Sequence, residues 1–186
     1  MDEPSRQVLE KLYAGDRAGA EQAAEGQALD VFAAAALGDR GQVQQRLAED
    51  PAGATARTGD GFTALHLAAF FGDEATVATL VAAGADPASV AANPMRVTPL
   101  HSAVAHRDRA SVRCLLEAGA PVDAQQAAGY TARHAAALHG DDVMVRLLLD
   151  HGADPGVRDD EGRTAADHAT GAGHTALAEL LSPAAG

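Results

Sequence analysis

The segment Thr63-Ala-Leu-His-Leu-Ala-Ala69 returns as Thr98-Pro-Leu-His-Ser-Ala-Val104 and as Thr131-Ala-Arg-His-Ala-Ala-Ala137, with a fourth threonine at Thr164. The threonines stand 35, 33 and 33 residues apart, and in the first three copies a glycine follows 21 residues later, at Gly84, Gly119 and Gly152. Self-similarity at this period marks stacked supersecondary units, each burying its apolar face only against its neighbours. Within one unit Leu65, Ala68 and Ala69 form one helical stripe and Val77, Leu80 and Val81 a second, with Gly72 between them. Two short antiparallel helices per unit are predicted. Gly84, Gly119 and Gly152 fall just past the second helix, where a left-handed residue is needed, and Pro87 and Pro155 prevent the helix from continuing.

Composition supports thin, closely spaced helices. Aromatic residues are 3% of the 186-residue chain and tryptophan is absent, so Ala, Leu and Val must fill the core. The net charge of −12 repels phosphate, which argues against nucleic acid and anionic membranes as partners. Cys114 is the single cysteine, so neither an intrachain disulfide nor a thiolate cluster can form, as suits a reducing compartment. No apolar run in the first thirty residues is long enough for a signal peptide or a membrane span, and a cytoplasmic location is expected. The cations are thirteen Arg and one Lys on an Ala, Gly and Asp background, a composition that suggests a GC-rich bacterial genome.

These copies resemble the ankyrin repeat, whose signature runs from a turn through Thr-Pro-Leu-His-x-Ala-Ala and Gly to Val-x-x-Leu-Leu-x-x-Gly-Ala-Asp. The match runs from about Thr58 to Leu181. The resemblance implies an all-α solenoid of helix pairs in an L-shaped array, with projecting hairpin loops and a concave face made by the loops and first helices. The flanks read as worn units. Residues 28–57 keep an Ala-rich first helix and the Gly38-Asp39 turn, and residues 1–27 read as a capping helix pair that carries Val8, Leu9, Leu12 and Tyr13. The intervening units are 58–92, 93–125 and 126–158, and 159–182 closes the array ahead of a frayed tail at 183–186. About six helix pairs are expected, acting as a monomer.

Several motifs invite chemistry. His66, His101 and His134 share one repeat position, which in the family hydrogen-bonds loop backbone across units. His106 and His139 lie 33 residues apart at the end of the first helix, and stacking at about 8–10 Å would let two imidazoles approach one ion. With no third ligand in phase, no metal is assigned, although a small-ligand or metal site at these groove histidines is kept as the alternative. Gly171 to Ala176 satisfies a dinucleotide-binding string without the strand that motif needs, and Asp159 to Gly162 lacks calcium-loop spacing and reads as a solvated hairpin tip. No nucleophile elbow or phosphate loop is present, so no enzyme activity and no cofactor are expected.

The departures from the repeat are more informative. In the family, the residue before the repeat threonine and the two residues closing the first helix face the groove. Here those positions hold Phe62, Val97 and Tyr130, then Phe70, Ala105 and Leu138, then Phe71, His106 and His139. A non-enzymatic module that binds an unknown partner protein is therefore predicted, through Phe62, Phe70, Phe71, Met95, Val97, His106, Tyr130, Leu138 and His139. The competing expectation is that the N-terminal helices fold back over the phenylalanines. Two further anomalies stand out. Arg96 replaces the glycine found at Gly61, Gly129 and Gly162, and Arg107 replaces a turn glycine, so the longer loop from Ala85 to Val97 is expected to take another shape. Arg133 stands where Leu65 and Leu100 fill the seam, and its stem is expected to fill space left by Ala166 while its head reaches solvent or a carboxylate.

Overall fold

The computed structural model describes residues 1–181, so the expected tail at 183–186 lies outside the described residues. Twelve α-helices and no strand occur among them. In chain order they are α1 (Glu3–Tyr13), α2 (Arg17–Ala24), α3 (Val31–Leu37), α4 (Arg40–Glu49), α5 (Ala64–Phe71), α6 (Glu74–Ala82), α7 (Pro99–His106), α8 (Arg109–Glu117), α9 (Ala132–Leu138), α10 (Asp142–Asp150), α11 (Ala165–Gly171) and α12 (Thr175–Leu181). Each odd helix packs against the even helix that follows it. The odd helices stack in one layer from α1 to α11, and α4, α6, α8 and α10 stack in a second. The chain is a solenoid of helix pairs.

Local chemistry sets the helix starts. The odd helices from α5 to α11 begin at Thr63, Thr98, Thr131 and Thr164, each in a reciprocal capping box with the residue three positions on. The even helices from α2 to α10 begin at Asp16, Asp39, Asp73, Asp108 and Asp141, whose carboxylates accept N–H bonds from the first turn. Small side chains then let the layers close. Ala33, Ala34, Ala35 and Ala36 of α3, Ala68 and Ala69 of α5, and Ala136 and Ala137 of α9 are buried, with Leu65, Leu80, Leu100, Leu115 and Leu148 as the larger fillers.

The glycines after the even helices adopt positive φ as expected, at 91°, 91° and 87° for Gly84, Gly119 and Gly152. Gly72 is needed for a different reason. Its φ is −86°, but a Cβ there would lie 2.7 Å from the Ala35 carbonyl oxygen, so only glycine allows α5 to end so close to α3.

Arg96 and Arg107 overturn the expectation of a new loop shape. Both keep the left-handed backbone of the glycines they replace, at φ 52° and 61°. At Arg107 the same closure forms as at Gly38 and Gly140: its N–H donates to the Val104 carbonyl at 3.0 Å, and the Asp108 N–H donates to Ala103 at 3.1 Å. Satisfying two helix-end carbonyls outweighs a strain of about 1 kcal/mol. The two extra residues are absorbed between Ala91 and Val97, whose backbone bond closes the loop as Thr58 with Phe62 and Gln126 with Tyr130 close theirs. Successive hairpins are then tied edge to edge, Ala92 N–H to Gly61, Ala127 N–H to Met95 and Asp160 N–H to Ala128.

Arg133 is also corrected. It is completely buried and does not reach solvent; its Nη2 donates to the Asp154 carbonyl, while Nε and Nη1 have no partner among the described residues. Its place in the first turn of α9 directs the side chain into the seam toward the loop after α10, where a carbonyl is nearer than open water. Burial pulls the guanidinium below its ordinary pKa, against the opposing fields of Asp123 and Asp154.

Two outcomes follow for stability. Leu100→Ala removes a fully buried filler between neighbouring pairs and is expected to cost about 2–5 kcal/mol in denaturant unfolding, whereas Glu117→Ala on the surface should change little. Arg133→Leu exchanges an incompletely bonded buried cation for the residue type its neighbours carry, so the unfolding midpoint should rise or hold. A loss above about 2 kcal/mol would show that the Asp154 bond outweighs the desolvation of the guanidinium.

Candidate functional site

The geometry of the concave face begins with three buried imidazoles. Nδ1 of His66, His101 and His134 accepts the N–H of Thr63, Thr98 and Thr131 at 3.3, 3.2 and 3.1 Å. Nδ1 as acceptor leaves the proton on Nε2, which donates to the carbonyls of Val97, Tyr130 and Arg163 at 3.0, 3.2 and 3.2 Å. Each imidazole thereby fixes the residue just ahead of the next threonine. Of those residues Val97 lines the groove on this face, while Tyr130 and Arg163 bond to each other beyond it.

One groove of about 730 Å3 opens on this face. Phe70 and Phe71 at the end of α5, His106 at the end of α7, and Phe62, Met95 and Val97 from the hairpins all line it. The N-terminal pair adds a further wall, through Leu12, Tyr13 and Arg17. Neither of the two competing expectations for the phenylalanines describes the result. The α1–α2 turn folds back far enough to set Tyr13 edge-on to Phe71, with centroids 5.3 Å apart, and Phe71 is half-buried. Phe70, which packs edge-on to Phe71 at 4.7 Å, stays 40% exposed, and Met95 is 53% exposed. Arg17 holds the fold-back by donating to the Phe71 and Leu37 carbonyls at 2.7 and 3.0 Å.

Tyr13 and Arg17 were not expected here. The sequence shows Tyr13 only as the last apolar residue of an amphipathic helix; nothing local indicates that it meets a ring in α5. Its hydroxyl donates to Asp60 at 3.3 Å. Partial burial, then the Asp60 charge and this bond, push the phenol above its ordinary pKa.

The other expected contacts lie apart from the groove. Tyr130 is half-buried, with its ring 4.9 Å from His168 and its hydroxyl accepting from Arg163 Nη2 at 3.3 Å. Leu138 is 43% exposed and His139 is exposed, and neither lines the groove. His106 faces Phe70, ring centroids 6.2 Å apart. Among the described residues no three His, Cys, Asp or Glu side chains come together as a metal site.

Asp160, Glu161 and Gly162 are exposed, as a solvated tip requires, but Asp159 is not. It is buried, accepting from the Glu161 and Arg163 N–H groups, from Arg163 Nε at 3.1 Å and from His168 Nε2 at 2.7 Å. Burial alone would push the carboxyl up, but these donors outweigh it and hold the pKa below the usual carboxylate range. The Gly171 to Ala176 string lies across the turn between α11 and α12, away from any strand.

Residues 31–126 and 110–186 match the family of ankyrin repeats (3 copies). The chain belongs to the ankyrin-repeat family, whose members are generally protein–protein interaction modules and typically not enzymes. Among the curated proteins, none matches the chain. No helix among the described residues is long and apolar enough to cross a membrane.

The imidazole ladder makes stability depend on pH. Burial lowers the pKa of His66 and His101 to about 4, against the pull of their carbonyl acceptors, and lowers that of His134. In the unfolded chain these groups bind a proton near pH 6.5, so the native state holds its full advantage above that value and loses it as pH falls from about 6.5 to 4. Between pH 7 and 5 each of His66 and His101 should account for roughly 1–2 kcal/mol of lost stability. Denaturant midpoints measured across that range check this, and His66→Gln should flatten the profile.

Proposed function

We propose that this chain is a non-enzymatic binding module that takes a partner protein on its concave face, working as a monomer in the cytoplasm. The observation that carries this is the groove itself, with Phe70 and Met95 exposed on a surface whose other rings are partly covered. An aromatic anchor beside a flexible thioether suits a well-packed contact, where such side chains contribute about 2 kcal/mol or more each. Phe62, Phe71, Val97 and His106 frame that pair. The reducing environment implied by a lone thiol at Cys114 is consistent with the location.

A second reading rests on size, since 730 Å3 falls in the range of small-molecule sites. It would place an apolar ligand against the same rings. Thermal shift on titration with apolar compounds would favour it if saturable and lost on altering Phe70.

The test of the main reading uses Phe70→Ser with Met95→Ser. Both side chains are already well exposed, so the melting temperature should move by no more than about 2–4 °C. Affinity capture from the native lysate should lose the partner retained by the wild-type chain. A folded variant that captures the same proteins would move the contact elsewhere on the array.

A further inference from the structure

The groove has a charge character opposite to that of the chain. No Asp or Glu lines it, although the sequence holds 26 such residues and a net charge of −12. The carboxylates at its N-terminal wall are already engaged, Asp60 by the Tyr13 hydroxyl, Asp16 by Lys11 and Glu21 by Arg17. Beside the lining residues Met95 and His106 stand Arg96 and Arg107, both exposed and neither in an ion pair among the described residues. Asp141, which feels the charge of Arg107, is already bonded to Arg109 at 2.8 Å.

These two arginines hold positive φ where the neighbouring units place Gly61, Gly129 and Gly162, or Gly38 and Gly140. Glycine would meet every backbone requirement at both positions without strain. Ala128 holds the same conformation at φ 64°, so the backbone alone does not select a cation; what distinguishes Arg96 and Arg107 is that each is exposed, unpaired among the described residues and next in sequence to a residue that lines the groove. The apolar walls also restrict the form of the occupant. An extended segment would bury N–H and C=O groups with few acceptors or donors to meet them, whereas a helix satisfies its own backbone. From Phe71 to Gln126 the groove crosses two unit spacings, about 20 Å at 8–10 Å each, or roughly 13 residues of helix.

We propose that the groove receives an amphipathic helix of a partner protein, its apolar stripe on Phe70 and Met95 and its flanking carboxylates facing Arg96 and Arg107. This rests on the protein-binding reading above and adds the chemistry of the partner. It also runs against the simplest electrostatic expectation, which is that so acidic a chain selects basic ligands.

A display library of random peptides about 14 residues long, selected on the wild-type chain, with every enriched peptide then measured on Phe70→Ser, tests the idea. The enriched peptides should carry apolar residues at i, i+3 or i+4, and i+7, with a net negative charge. Their affinity should fall by about tenfold in an Arg96→Gln, Arg107→Gln double variant and by much less in the Arg96→Lys, Arg107→Lys pair, which keeps the charge. The double variants can be checked for fold by circular dichroism, and the lysine pair controls for any backbone effect of losing the arginines. Enriched peptides that need Phe70 but carry neutral or positive charge, or that bind the glutamine variant equally well, would overturn the acidic-helix inference and leave the protein-binding reading intact. Enrichment that ignores Phe70 would overturn both. Concentration-dependent self-association in sedimentation, abolished by Phe70→Ser, would instead put a second copy of the chain in the groove and reject a heterologous helix.

Discussion

The neutral imidazole between a threonine cap and the next hairpin is the interaction on which the array depends. His66, His101 and His134 each accept one N–H and donate one, so a single ring completes a helix N-terminus in its own unit and satisfies a carbonyl in the unit after it. The carbonyls that accept belong to Val97, Tyr130 and Arg163, and of these residues Val97 also lines the groove. At that point one bond fixes both the stacking of units and the wall of the recognition surface. In the last unit Asp167 takes the position of the histidine and completes the cap of Thr164 without reaching further along the stack.

Much of this was legible because the determinants are local and repeat. The threonine starts, the histidine register, the alanine seams and the glycines after each second helix all read directly from the sequence. What was not legible depends on contacts between distant segments. Tyr13 becomes part of the groove only because Arg17 ties the first pair to the ends of α3 and α5. Tyr130 looked equivalent to Phe62, yet Arg163 and His168 draw it into a polar cluster. Arg133 is expected to reach solvent or a carboxylate, and the Asp154 backbone carbonyl holds it inside the seam instead. In each case a repeat position correctly located the backbone while a non-repeating neighbour decided the side chain.

The acidity of the chain also acquires a structural meaning. Asp16, Asp39, Asp73, Asp108 and Asp141 each cap an even helix, at the end of the dipole that favours an anion. Five of the 26 acidic side chains are thus tied to one recurring place, the turn that leads into the second layer. The groove, built from the other layer and the hairpins, is left free of carboxylates. A net charge read from composition would have assigned the whole surface one sign.

The left-handed arginines carry a consequence for how such a chain would change over generations. Glycine at 96 or 107 requires a single nucleotide change and relieves a disfavoured backbone, so selection for heat resistance alone would erode these two positions early. A lineage that keeps them while its neighbouring turns remain glycine is under a second pressure, exerted by whatever the charge meets. Comparing positions 96 and 107 across such lineages would therefore separate a pressure for charge from a pressure for an unstrained backbone.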